Sequence, residues 1–318
     1  MAQTIENVWL YLDAQASTDA ATEVALEISN AHSASLSLIT VVETPHDPFL
    51  RTDLGQEMMR LVREDKRERL QKLEERVRRE MPQNRVASVF LEGEIAWHTL
   101  TSHSITKRPD LVIVPADGDV SDGRYGTFSQ HLFRKCPVPV WSVQPTADRL
   151  TKRVLVAVDS GPEGSDQRLL SQEVLNFATG LAAHTGMELH LGHAWSLYDE
   201  NLITARYGAA AIQPYLNLQL KFARDFTEQL LQQTEHRERI AVVHYPKGEA
   251  GKAIPTLAQE ISADVVILGS AARRGIEGFF MGSVAETILS RLLCSALVVK
   301  RPGYISPIAH APMPYSIS

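Results

Sequence analysis

The two halves of this chain repeat one another, and a repeat of this length has to be read before any single motif, because it makes each half one folding unit of the same kind. Asn7-Val-Trp-Leu-Tyr-Leu-Asp13 returns as Arg153-Val-Leu-Val-Ala-Val-Asp159, each an apolar run closed by an aspartate. Arg85-Val-Ala-Ser-Val-Phe-Leu-Glu-Gly93-Glu94 is matched by Arg239-Ile-Ala-Val-Val-His-Tyr-Pro-Lys-Gly248-Glu249, and Asp110-Leu-Val-Ile-Val by Asp264-Val-Val-Ile-Leu. Cys136-Pro-Val-Pro-Val-Trp141 and Cys294-Ser-Ala-Leu-Val-Val299 close the series, so even the two cysteines are equivalent. A length of 318 residues independently suggests two units. The boundary is expected near 145–149, giving domains over 1–147 and 150–302 and a proline-bearing tail over 303–318 expected to be mobile.

Within a copy, short β-branched runs alternate with longer stretches of 3.6-residue periodicity, the pattern of βαβ units. In the second copy the strands fall near 153–159, 187–195, 239–245, 264–269 and 295–300, with helices near 165–185, 212–235, 249–262 and 283–293. Nearly continuous apolar strands such as Val265-Val-Ile-Leu268 require burial on both faces. The expected fold is therefore α/β: two tandem, doubly wound, Rossmann-like parallel sheets of five strands each. Residues 57–80 of the first copy read as an amphipathic helix with balanced charge on a solvated face.

A formal charge of −6 offers no general attraction to phosphate backbones or anionic lipid, so nucleic acid is not an expected partner. No basic-then-apolar leader and no run of 18 or more apolar residues is present, which predicts neither export nor membrane insertion. With two cysteines there is no disulfide framework, and a reducing, cytoplasmic setting fits. His190 and His193 lie three apart on a strand and so point to opposite faces, a poor arrangement for a shared metal. Both cysteines, at helix C-terminal ends, read as buried small apolar residues.

Doubly wound sheets bind ligands beyond the carboxyl ends of their strands. There the second copy carries Gly269-Ser-Ala-Ala-Arg-Arg-Gly-Ile-Glu-Gly-Phe-Phe-Met-Gly282-Ser283-Val-Ala-Glu286, a glycine-bearing loop opening a helix, whose N–H groups and dipole suit a phosphate. The competing structural reading makes Ser283 and Glu286 a capping box that consumes the serine. Taken together, the strand-ending aspartate, the glycine loop, Gly-Ser-Val-Ala-Glu and the final Leu-Val-Val-Lys-Arg over 150–301 resemble the universal stress protein family, and the duplication resembles its tandem-domain bacterial members. ATP-binding members carry G-x2-G-x9-G-[S/T] in this loop; here it reads Gly269-x2-Ala272-x9-Gly282-Ser283. The resemblance implies that Asp159 faces the ribose, Ala157 and Ala194 the adenine, and Leu268, Gly269, Ala272, Gly282, Ser283 and Val284 the phosphates, with Arg273 and Arg274 as added charge. It also implies an internal pseudo-dimer joined through the apolar last strands, 138–143 and 296–300, and leaves pairing of whole chains open.

The first copy departs further. Its loop runs from Pro115-Ala-Asp-Gly118 to Gly126-Thr127, Pro115 lacks an N–H, and Asp117, Asp119 and Asp122 add negative charge, so this copy is expected not to bind ATP, while Thr127 and Gln130 read as a capping box. Asp159 to Asp166 resembles the glycine-rich loop of ATP pyrophosphatases but lacks its Ser-Gly-Gly-x-Asp-Ser order, and no Walker-type lysine is present. The sequence reading is thus a stress-response ligand-binding protein, a sensor or scaffold and not an enzyme, binding ATP with any magnesium carried by the nucleotide. Two alternatives stand: a pocket for a different small molecule, apolar or lipid-like, and a slow ATPase. If position 272 needs a left-handed backbone, Ala272→Gly should tighten ATP binding up to about tenfold, the worth of roughly 1–2 kcal/mol, in a calorimetric titration.

Overall fold

The computed structural model describes residues 5–12, 18–118, 125–145, 152–161, 165–270 and 281–309. In the first repeat, β1 (Asn7–Leu12), α1 (Asp19–His32), β2 (Ser35–Glu43), α2 (Asp53–Glu80), β3 (Val86–Gly93), α3 (Ala96–Lys107), β4 (Leu111–Pro115), α4 (Thr127–Lys135) and β5 (Val140–Val143) follow in order. The second repeat gives β6 (Arg153–Ala157), α5 (Asp166–Thr185), β7 (Glu188–Gly192), α6 (Glu200–Tyr207), α7 (Ala209–Gln232), β8 (Ile240–His244), α8 (Ala250–Glu260), β9 (Val265–Ser270), α9 (Ser283–Leu289) and β10 (Ser295–Lys300). The periodicity anticipated this alternation; α6 had no counterpart in it.

The strands form one sheet of ten, ordered β3-β2-β1-β4-β5-β10-β9-β6-β7-β8. Each half is parallel, and the halves meet where β5 and β10 pair antiparallel, Leu297 opposite Trp141. The expected internal pseudo-dimer therefore forms through the last strands, and its two sheets are fused into one. Alternation along the strands sends Val8, Leu10 and Leu12 to one face and Trp9 and Tyr11 to the other, so two apolar layers flank the sheet. The repeated aspartates before β4 and β9 do the same structural work twice. Asp110 accepts hydrogen bonds from the N–H groups of Glu6 and Asn7 at 2.9 Å, and Asp264 from those of Lys152 and Arg153 at 2.8 Å.

Helices reinforce the junction on both faces. On one, α1 packs on α5, with the His32 and His184 rings 4.6 Å apart. On the other, Arg134 of α4 pairs with Glu286 of α9 at 3.1 Å. The end of α4 would present unsatisfied carbonyls. The second repeat caps them: Lys300 Nζ donates to the Phe133 carbonyl, Tyr304 Oη to that of Arg134 at 2.7 Å, and Ser306 Oγ to that of Lys135 at 2.7 Å. The start of the tail, read as mobile because it is proline-rich and aperiodic, is thus docked on the first repeat through 309; residues 310–318 lie outside the described part. Among the described residues no helix is long and apolar enough to cross a membrane.

Lys300 is fully enclosed, and burial lowers its pKa to about 7, Cys136 opposing the shift. An unfolded lysine titrates near 10.4. Between about pH 7 and 10.4 the unfolded chain therefore holds more protons, so stability rises with pH across that window, and the burial cost is complete below it. Lys300→Met should accordingly be most favourable relative to the parent near pH 7 and lose that advantage by pH 10, a change on the order of a few kcal/mol in denaturant titrations; a pH-independent difference would refute the assignment.

Candidate functional site

At the carboxyl ends of β6 and β9 the second repeat opens a cavity of about 430 Å³, a size typical of small-molecule sites. It lies between the first turns of α5 and α9. Ala157 ends β6 on its rim and Asp159 follows, its backbone clamped by Ser171 of α5: the Ser171 hydroxyl donates to the Asp159 carbonyl at 2.7 Å and receives its N–H at 3.1 Å. Asp159 lines the cavity. Withdrawal from bulk water raises its pKa above the usual carboxylate range, opposed by nearby His193 and the Ser160 N–H. His193 is itself buried, its ring 5.1 Å from Phe226 and its Nδ1 3.2 Å from the Val158 carbonyl, and burial lowers its pKa. Burial thus disfavours charge on both the imidazole and the carboxyl at this corner, while each partly offsets that for the other.

The structure brings Ala157, Asp159, Leu268, Gly269, Gly282, Ser283 and Val284 around this one cavity. Ala194, just past β7, packs on the same apolar layer as Ala157 but does not line it. Ala272, Arg273 and Arg274 lie outside the described residues. Gly269 has a packing reason of its own: a Cβ there would stand 2.5 Å from Leu170 Cγ, so the glycine admits the first turn of α5. Leu170, Val174, Ile254 and Ile288 add an aliphatic wall that sequence reasoning missed, because they come from helices far apart in the chain. The usable signal was Ser165, which caps α5 by accepting the Arg168 N–H at 3.3 Å and so marks a second helix start at the site.

Neither expected capping box forms. Ser283 is the first residue of α9, capped by Gly282 without a side-chain bond, while Glu286 turns to Arg134. Ser283 lines the cavity, and no side-chain hydrogen bond caps the start of α9. In the first repeat, Gln130 donates instead to the Tyr125 carbonyl at 2.7 Å, and Asp117 takes the helix start. Its carboxylate accepts the N–H groups of Phe128 at 2.7 Å and Ser129 at 2.8 Å, together with the Ser129 hydroxyl. The chain's own carboxylate thus occupies the N–H groups at the start of α4. Asp13, Asp119 and Asp122 lie outside the described residues.

The remaining chemistry-bearing residues do not converge. Among the described residues no three His, Cys, Asp or Glu side chains gather as metal ligands. His190 stacks on His244 with Nδ1 2.8 Å from its Nε2, and meets Glu188 at 2.8 Å, away from His193. Burial pushes the thiol pKa of Cys136 up and that of Cys294 to about 12.

The sequence model of the Universal stress protein family matches residues 4–144 and again 151–300. Universal stress protein E of Escherichia coli is 28% identical over 234 residues, 70% of this chain and 72% of its own length. The Haemophilus influenzae homolog of that protein is 25% identical over 67% of this chain and 70% of its own. Among solved structures, a functionally unknown Pseudomonas aeruginosa protein superposes with a TM-score of 0.63 at 20% identity, covering 94% of both chains. A universal stress protein from Archaeoglobus fulgidus gives 0.62 at 18%, covering 93% of this chain and 99% of that one.

Because Asp117 caps α4 with both carboxylate oxygens, Asp117→Ala should cost about 1–2 kcal/mol of stability, and Asp117→Asn less. Thermal unfolding of the two variants checks this; an unchanged midpoint in Asp117→Ala would remove the capping role.

Proposed function

Since the chain belongs to the universal stress protein family, with one copy in each half, we propose that it binds an adenine nucleotide in its second repeat and acts in the cytoplasm as a sensor or scaffold in the stress response, not as a catalyst. The observation that carries this reading is the cavity at the ends of β6 and β9, lined by Ser283 at the start of α9 and by Asp159, whose backbone is clamped by Ser171. Backbone N–H groups at such a helix start receive phosphate oxygens, and the Asp159 carboxyl can accept from ribose hydroxyls. Magnesium would arrive on the nucleotide. Repeat one, with Asp117 in the corresponding place, takes no part.

One observation favours a second reading: the aliphatic wall of Leu170, Val174, Ile254 and Ile288 suits an apolar small molecule. Mass spectrometry of ligands released from purified protein separates the two. For the nucleotide reading, titration calorimetry with MgATP should give one site per chain. Ligand at a hundredfold excess over Kd should add about 2.7 kcal/mol of stability, seen as a raised melting temperature. Gly282→Val, which crowds the phosphate approach, should abolish both effects. Two equal sites, or undiminished affinity in Gly282→Val, would overturn the site, and phosphate release dependent on Gly282 would replace the scaffold role by a slow ATPase.

A further inference from the structure

The two repeats place different side chains at equivalent points of one cavity. Strand register fixes the first correspondence. Val8 pairs with Leu111 in β1 and β4 as Val154 pairs with Val265 in β6 and β9, so Tyr11 of the first repeat stands where Ala157 ends β6. The helix starts fix the second. Helix α4 opens with Thr127-Phe128 behind Gly126, as α9 opens with Ser283-Val284 behind Gly282, so Phe128 stands where Val284 does. Ala157 and Val284 both line the cavity of the second repeat. Their counterparts instead meet each other: the Tyr11 and Phe128 rings stack with centroids 4.7 Å apart and planes 20° from parallel. Both pack in the layer that holds Leu132, the counterpart of the cavity-lining Ile288. Tyr11 is buried and Phe128 half-buried.

We infer that the first repeat fills its own copy of this cavity from within, and that the pairs Tyr11 with Phe128 and Ala157 with Val284 decide which repeat admits a flat ring. Two stacked aromatic side chains bury roughly 150–250 Å² each, so in the first repeat the chain itself covers the apolar walls. Alanine and valine leave those walls for a ligand to cover. An apolar space of about 150 Å³ already takes benzene, and the second repeat offers about 430 Å³. The stack and Asp117 act on different parts of a ligand. Asp117 holds N–H groups that would meet an anion, whereas the rings hold apolar space. Removing the carboxylate alone therefore leaves the first repeat shut. The inference shares its cavity with the nucleotide reading but depends only on the shape of that cavity.

The two pairs can be exchanged in the full chain, with indole as a flat, uncharged probe followed by saturation-transfer NMR. Ala157→Tyr combined with Val284→Phe should weaken indole binding about tenfold or more. The melting temperature should stay within about 2 °C of the parent, because the rings enter space already present; rings forced into a filled core would lower it by several degrees. Adding Tyr11→Ala and Phe128→Val to that closed chain should restore indole binding, since Asp117 does not oppose an uncharged probe. Asp117→Ala alone should add no binding. MgATP should raise the melting temperature of the parent and not of the closed chain. A parent that takes no indole, a closed chain that binds it undiminished or melts several degrees lower, or a folded exchanged chain that does not regain it would each overturn the inference. Indole following the exchange while MgATP shifts no variant supports the inference and overturns the nucleotide reading alone.

Discussion

Everything in this molecule is hung from three residue pairs, Ser142 with Ala296, Trp141 with Leu297 and Val140 with Val298, where two parallel sheets meet antiparallel. A five-stranded sheet ending in an apolar strand has an edge that invites uncontrolled pairing. Here each edge is consumed by the other, inside one chain, so the carboxyl ends of the parallel strands in the two repeats point oppositely along a single sheet. The flanking contacts are consequences of that register. It brings α1 onto α5 and α4 alongside α9, and it delivers Lys300, Tyr304 and Ser306 to the carbonyl end of α4.

The same junction ties the candidate site to the first repeat. Helix α9 begins at the cavity with Ser283, and one turn later Glu286 holds Arg134 across the junction. Arg134 in turn lends its carbonyl to Tyr304. The helix start that would receive a phosphate is therefore braced by groups of both repeats, and its position is not a property of the second repeat alone. A local capping box would have made it so; the tertiary ion pair displaced it.

Most of the architecture was legible because it rests on period and repetition. Strand runs such as Val265-Val-Ile-Leu268 can only be buried on both faces, and the doubled Asp110 and Asp264 announce equivalent strand starts. What was not legible rests on partners distant in sequence. Ser283-x-x-Glu286 and Thr127-x-x-Gln130 have the right local spacing for reciprocal caps, yet Glu286 finds Arg134 and Asp117 reaches α4 from the preceding loop. The tail looked unstructured because prolines hide periodicity, although its order comes from side-chain hydroxyls meeting carbonyls of the other repeat. The loop glycines and Asp159 marked the cavity, while its aliphatic wall, drawn from α5, α8 and α9, left no contiguous pattern to read.

The carboxylate of Asp117 has a further consequence. An anion tethered through the chain to the N–H groups it occupies, eleven and twelve residues on, competes at an effective concentration set by that tether, on the order of millimolar for a short flexible one. Any free anion would have to displace that tethered carboxylate from the Phe128 and Ser129 N–H groups. The start of α9 carries no such side-chain cap, so one aspartate makes two repeats of common shape unequal at equivalent helix starts, an asymmetry that a pair of identical single-domain chains could not encode.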